Sequence, residues 1–190
     1  MQIIEWTEFL KNGLPVGQKK TSVTVGVFDG VHRGHQALIK KIIFNNSDNI
    51  PVIITFRKPE ANEAVMFPNK PIRNFNERLE IFKKLGIKIV IVIDFTEEFK
   101  DIRGIEFLEI LLKQCNIGFF AVGKNFHCGN KKDTDAQQIK DFFVSRNIPV
   151  EIIPEVIYES RPVSSSRIRS ALACGDVELA KAMLGGDSDL

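Results

Sequence analysis

The sequence predicts an α/β fold, a Rossmann-like doubly wound parallel sheet of about five strands with helices on both faces. Apolar, β-branched runs lie at Ser22–Phe28, Pro51–Phe56, Lys88–Asp94, Gly118–Gly123 and Pro149–Pro154. Short continuous runs of this kind suit strands buried on both faces. Helical patterns separate them, and strands alternating with helices imply βαβ units and a parallel sheet. The 190 residues, 44% hydrophobic and 26% charged, are the size of one domain and can bury a core without staples.

The elements follow in order. The N-terminus, MQIIEWTEFL, lacks a basic region followed by a long apolar run, so it is not read as a signal peptide. After the first strand, Gly34–Phe44 sets Leu38 against Ile42 and Ile39 against Ile43 at helical spacing. After the second, Arg57–Phe75 is long, irregular and proline-bearing (Pro59, Pro68, Pro71). It leaves the carboxyl end of a strand, which favours a binding loop. Asn76–Leu85 carries Leu79, Phe82 and Leu85 and stops at Gly86, as helices do. Ile105–Cys115 and Ala136–Arg146 are further helices, and Ser165–Ala173 and Asp176–Leu184 close the chain with Gly175 and Gly185 at their ends.

Bulk properties exclude several classes. A net charge of +2, with Lys and Arg dispersed, argues against a nucleic-acid partner. No stretch is long and apolar enough to span a bilayer, so no membrane partner is expected. The 3 cysteines, Cys115, Cys128 and Cys174, are scattered without metal-type spacing and suit a reducing compartment. A cytoplasmic protein is the expectation.

Ligands of parallel α/β sheets bind beyond the carboxyl ends of the strands. Immediately after the first strand comes Gly26-Val27-Phe28-Asp29-Gly30-Val31-His32-Arg33-Gly34-His35. Glycines here permit a sharp turn and close ligand approach. The free N–H groups of the following helix can hold a phosphate. His32 and His35, two of the 3 histidines, share one face at this spacing and can donate to phosphate oxygens where charge grows. No third ligand is evident for a metal. Asp29 suits fixing the turn. After the last strand comes Arg161-Pro162-Val163-Ser164-Ser165-Ser166-Arg167-Ile168-Arg169. Serines before a helix are first of all N-caps. Cations at that end oppose the helix dipole, and an anionic ligand would relieve the conflict. The third run, Val122-Gly123-Lys124-Asn125-Phe126-His127-Cys128-Gly129-Asn130-Lys131-Lys132, follows the fourth strand; a plain connecting loop is the alternative reading.

The first run resembles the G-x-F-D-G-x-H-x-G-H signature of the HxGH nucleotidyltransferase superfamily. More narrowly, it resembles the FMN adenylyltransferase module of prokaryotic FAD synthetases, whose fold is the Rossmann-like one expected here. The resemblance runs from about Ser22 to Gly185. It implies that His32 and His35 contact the ATP phosphates and stabilise the transition state, with Gly26, Phe28, Asp29, Gly30 and Gly34 of the same turn binding ATP. The second run resembles I-S-S-T-x-I-R, with Val163 and Ser166 in place of Ile and Thr; Ser165, Ser166, Arg167 and Arg169 are thereby implied at the ATP phosphates. The third resembles G-x-[DN]-F-x-F-G, which implies Gly123 near ATP and Asn125 and Phe126 near FMN, although Cys128 replaces an aromatic residue. Thr55-Phe56 resembles a T-F element on the FMN side. Arg57-Lys58-Pro59 follows it, suiting either an acceptor phosphate or a solvated turn.

The implied reaction is transfer of AMP from ATP to FMN, with Mg²⁺ bound mainly through the ATP phosphates. No general base is required, because the attacking phosphate is already anionic. Bifunctional relatives carry a riboflavin kinase domain after this module; the sequence predicts a single nucleotidyltransferase domain without it, as either a monofunctional protein or a fragment. Pantetheine phosphate, nicotinamide mononucleotide or glycerol phosphate are alternative acceptors, and a non-catalytic nucleotide-binding module is the rival class. No P-loop motif occurs, and the chain is too short for an aminoacyl-tRNA synthetase.

Overall fold

The computed structural model describes residues 1–57 and 71–185. Most of the predicted binding loop, residues 58–70 with Lys58, Pro59 and Pro68, lies outside the described residues.

In chain order the elements are β1 (Gln2–Glu5), α1 (Trp6–Asn12), β2 (Thr21–Val25), α2 (Arg33–Phe44), β3 (Ile50–Arg57), α3 (Phe75–Leu85), β4 (Ile89–Asp94), α4 (Glu97–Asp101), α5 (Gly104–Gln114) and β5 (Ile117–Gly123). Then come β6 (His127–Cys128), β7 (Thr134–Asp135), α6 (Ala136–Val144), β8 (Val150–Ile153), β9 (Ile157–Tyr158), β10 (Arg161–Pro162), α7 (Ser165–Ala173) and α8 (Val177–Leu184). Among the described residues the main sheet has 6 strands in the order β1-β4-β3-β2-β5-β8. Every neighbouring pair in it is parallel. The expected doubly wound parallel sheet is therefore present, with one more strand than expected.

The extra strand is β1, which pairs with β4 from Gln2↔Ile89 to Glu5↔Val92. Its 4 residues are polar at both ends and only Ile4 is buried. An edge strand this short carries no periodic signal, which is why the sequence did not reveal it or the α1 helix behind it.

The central strands are apolar throughout because alternate residues serve opposite faces. Val52, Ile54 and Phe56 of β3 join the core under α1, α5 and α6, where Phe9, Leu108 and Phe143 pack. Ile53, between them, joins the other core with Leu38, Ile42, Leu79 and Phe82 from α2 and α3. Each such side chain contributes about 1.5–3 kcal/mol by leaving water. α7 and α8 form a third cluster around Ile168, Met183 and Leu184. Local signals agree with these boundaries. Asn74 and Glu77 make a reciprocal capping box at the start of α3, which ends on Gly86 at φ 100°.

The strand order reverses direction between β2 and β5: the chain runs outward through β3 and β4 on one side and through β8 on the other. A crevice at such a switch point, beyond the carboxyl ends, is where this architecture binds ligands.

Candidate active site

β2 delivers the chain into a tight turn at that crevice. Phe28 has φ 54°, Gly30 φ 79° and Val31 φ 45°. Left-handed backbone is expected of glycine but is strained for Phe and more so for β-branched Val, and such strain gathers at functional sites. What holds it is burial. Phe28 and Val31 are each 1% exposed, and the Phe28 ring packs edge-on against His35 and Phe82. At Gly34, a Cβ would come within 3.2 Å of the His32 ring.

His32 is the N-cap of α2: its Nδ1 accepts from the His35 amide at 3.4 Å. Accepting at Nδ1 leaves the ring proton on Nε2, a donor. The two imidazoles stack with centroids 3.6 Å apart and planes 16° apart. Burial pushes the His32 pKa down to about 4. Burial, then the neighbouring His32 and Arg78 charges, hold His35 well below its ordinary value. Both rings are therefore neutral donors at neutral pH. An anion between them and bulk water would raise both pKa values.

The unfolded chain takes up a proton on His32 near pH 6.5, whereas the folded chain resists until about pH 4. Stability supplied by neutral His32 is complete above pH 6.5 and is lost as pH falls through that window. The gap corresponds to about 3 kcal/mol at about 1.36 kcal/mol per pH unit. Urea unfolding between pH 7 and pH 4 is expected to show a steeper loss in the ligand-free protein than in His32→Asn. Parallel curves would contradict this.

Asp29 joins the two ends of the chain. It is 7% exposed. One carboxylate oxygen accepts from the Ile72 amide at 3.0 Å and the other from Arg169 at 2.6 Å. Its carbonyl accepts from the Ser165 hydroxyl at 3.0 Å. The start of α7 thus lies against the histidine turn, although 136 residues separate Ser165 from Asp29. Ser164, the true N-cap of α7, accepts from the Arg167 amide.

A cleft of about 600 Å³ opens between these segments and the ends of β5 and β8. The turn contributes Gly26, Phe28, Asp29, His32, Gly34 and His35 to its wall. α7 contributes Ser165, Ser166 and Arg169, and the third run contributes Gly123, Asn125 and Phe126. Asn125 is fixed by donating to Glu155 at 2.8 Å. At Gly123 a Cβ would meet nothing within 4 Å, so the space above that backbone is open to a ligand.

Other predicted residues lie elsewhere. Gly30 faces away from the cleft, toward Ile72 and Leu184. Arg167 donates to the carbonyls of Tyr158 and Arg161 and pairs with Glu159 at 3.7 Å. It pins the β9–β10 hairpin and does not line the cleft. Arg167→Ala is therefore expected to lower the melting temperature by a few degrees while ATP affinity stays within about twofold, checked by calorimetry with and without ATP. On the expected FMN side, Thr55 is fully buried, donating to the Val27 carbonyl, and Phe56 packs on Phe95 and Phe99 in the core. Neither is among the residues that line the cleft. Arg57 is neither a solvated turn nor a free cation: it donates to both oxygens of Asp94 and of Glu5, which raise its pKa.

Arg78 is the group the sequence reading missed. It is 6% exposed and donates to the Val27 and Phe56 carbonyls and to the Thr55 hydroxyl. It thus ties the ends of β2 and β3 together from α3. Burial pulls its pKa down, opposed by the charge of Asp29. The signal available was its place one helical turn before Phe82, on the apolar face of α3.

The family model for FAD synthetase matches residues 15–167. The chain belongs to the FAD synthetase family. The match takes in the histidine turn, the third run and the serines of α7, and stops short of Arg169. Over 170 residues the chain is 29% identical to the bifunctional riboflavin kinase/FMN adenylyltransferase of Buchnera aphidicola subsp. Schizaphis graminum, covering 87% of this chain and 54% of that protein. The Escherichia coli (strain K12) protein of the same description is 27% identical, covering 88% and 55%. The chain thus spans about half the length of the curated relatives it matches. Among solved structures, a protein described as a macrolide-efflux protein from Streptococcus pneumoniae superposes with TM-score 0.81 at 27% identity, over 98% of this chain and 60% of that one. Pantoate-beta-alanine ligase from Francisella tularensis, at 18% identity and TM-score 0.58 over 97% of this chain and 78% of that one, shares the fold. Among the described residues no helix is long and apolar enough to cross a membrane.

Proposed function

We propose that this chain transfers AMP from ATP to FMN, giving FAD and pyrophosphate. The observation that carries the reading is the convergence of the stacked imidazoles and the α7 tip on one cleft, joined through Asp29. Family membership supplies the acceptor class.

In the proposed step, an oxygen of the FMN phosphate attacks the α-phosphorus of ATP. The new P–O bond forms as the bond to the pyrophosphate oxygen breaks, and the leaving group departs with the electron pair. The nucleophile is already an anion, so the protein supplies position and charge stabilisation. His32 and His35 donate to oxygens around the α-phosphorus and the departing pyrophosphate. The first-turn amides of α7, with Ser165 and Ser166, hold the outer phosphates. Arg169, oriented by Asp29, adds a charge-assisted donor.

ATP-dependent nucleotidyl transfer uses a divalent metal, and Mg²⁺ is the ion proposed here; it neutralises phosphate charge when bound. Among the described residues no group of three or more His, Cys, Asp or Glu could hold a metal, and both oxygens of Asp29 are engaged. These residues fit an ion held through the ATP phosphates and water.

The test is incubation of the purified chain with FMN and MgATP. FAD by chromatography, with equimolar pyrophosphate, is the expected result. Tight ATP binding with no pyrophosphate released from ATP in the presence of any phosphate-bearing acceptor would leave a nucleotide-binding module instead.

A further inference from the structure

A small cavity of about 150 Å³ shares Asp29 with the ATP cleft. Arg57, Arg73 and Arg78 line it together with Asp29, Asn74 and Phe75. Its position follows from the fold: Arg57 ends β3, Arg73 and Asn74 precede α3, and Asp29 belongs to the turn after β2. The Phe75 ring forms a floor on which two guanidinium groups rest, Arg78 at 5.1 Å and Arg57 at 5.8 Å from its centroid.

The charges are unbalanced. Among the described residues Asp29 is the single carboxylate in the wall, and it is already committed to Arg169 and the Ile72 amide. Arg57 has carboxylate partners, Glu5 and Asp94. Arg78, nearly fully buried, donates to two carbonyls and a hydroxyl and has no carboxylate partner among the described residues. The Nε–H of Arg73 is buried without an acceptor among the described residues. Buried cations and donors left in this state are costly, and an anion among them offsets that cost.

The geometry points to this cavity as an anion subsite that holds the terminal phosphate of the acceptor. Its volume suits a phosphate group and is too small for a nucleoside or a flavin ring. The shared wall matters because, resting on the adenylyl-transfer reading, an in-line displacement needs the attacking and leaving oxygens on opposite sides of the α-phosphorus. Asp29 lines both the cleft and this cavity, so an acceptor phosphate held here lies next to the triphosphate site. Guanidinium forks match phosphate oxygens bidentately and fix their direction as well as their place.

The test uses inorganic phosphate as the probe, with the ATP cleft filled by saturating magnesium and a non-hydrolysable ATP analogue. Saturable phosphate binding by calorimetry is expected for the wild-type chain. Arg73→Gln is expected to weaken it at least about tenfold while leaving affinity for the ATP analogue unchanged. Arg73 is used because the bonds that tie the strand ends are made by Arg78, so substituting Arg73 spares them. Failure of the wild type to bind phosphate, or equal binding by Arg73→Gln, overturns the subsite. FAD formation is measured separately: phosphate binding that depends on Arg73 in a chain that makes no FAD supports the subsite and removes the flavin reading.

Discussion

Replacing His32 and His35 together by asparagine is expected to slow FAD formation by about a thousandfold or more, with the fold retained. Removing a single preorganised donor from a transition-state anion costs about 10²–10³ in rate. Here two donors stack 3.6 Å apart against one cleft. Losses of residues that act as a unit are not additive, so the double variant need not exceed the worse single variant by much. Asparagine is chosen because at position 32 it still accepts from the amide of residue 35, as the histidine does, and is a good N-cap. Steady-state rates together with near-ultraviolet circular dichroism check both halves. A double variant within tenfold of the wild-type rate removes the histidines from the chemistry.

Asp29→Ala has the second large effect, on stability and ATP binding at once. The carboxylate is nearly buried and satisfies a backbone amide and a guanidinium whose own side chain is only 28% exposed. Its removal leaves both donors without partners and, among the described residues, leaves only the Ser165 hydrogen bond to the main-chain carbonyl of residue 29 joining α7 to the histidine turn. The expected loss is about 3 kcal/mol, on the order of 10 °C in melting temperature for a domain this size. ATP affinity is expected to fall about tenfold or more, because Arg169 loses its orientation. Thermal melts and ATP titrations measure these together. A melting temperature within 1 °C of wild type would show that the ion pair does not hold the two segments.

The fold was legible where the sequence is redundant. The five strands expected were apolar on both faces, so their runs stood out without periodicity, and Gly86 and Gly185 marked helix ends that the structure places at φ 100° and 102°. The start of α7 was legible because serines before an apolar helix are a local signal. β1 was not, because a half-exposed edge strand of 4 residues has no pattern to detect.

The site was legible to the extent that its residues are contiguous. His32, His35, Ser165 and Asn125 were found in short motifs and all line one cleft. Arginines were the weak point. A guanidinium is equally at home on a phosphate, a carboxylate or a carbonyl, and only tertiary contacts decide. Arg57 belongs to Asp94 and Glu5, Arg167 to a hairpin, and Arg78, unremarked in the sequence, to three strand-end oxygens. Phe56 packs on Phe95 and Phe99 for a related reason: an aromatic residue at the end of a buried strand enters the core by default.

In the proposed reaction one triphosphate is held from both sides. The most direct measurement is a crystal structure of the chain with magnesium and a non-hydrolysable ATP analogue. The account predicts imidazole nitrogens of His32 and His35 within hydrogen-bond reach of oxygens on or next to the α-phosphorus, and the amides at the start of α7 with Arg169 on the outer phosphates of the same molecule. A triphosphate that touches the α7 tip while lying beyond reach of both histidines, or the reverse, would contradict it.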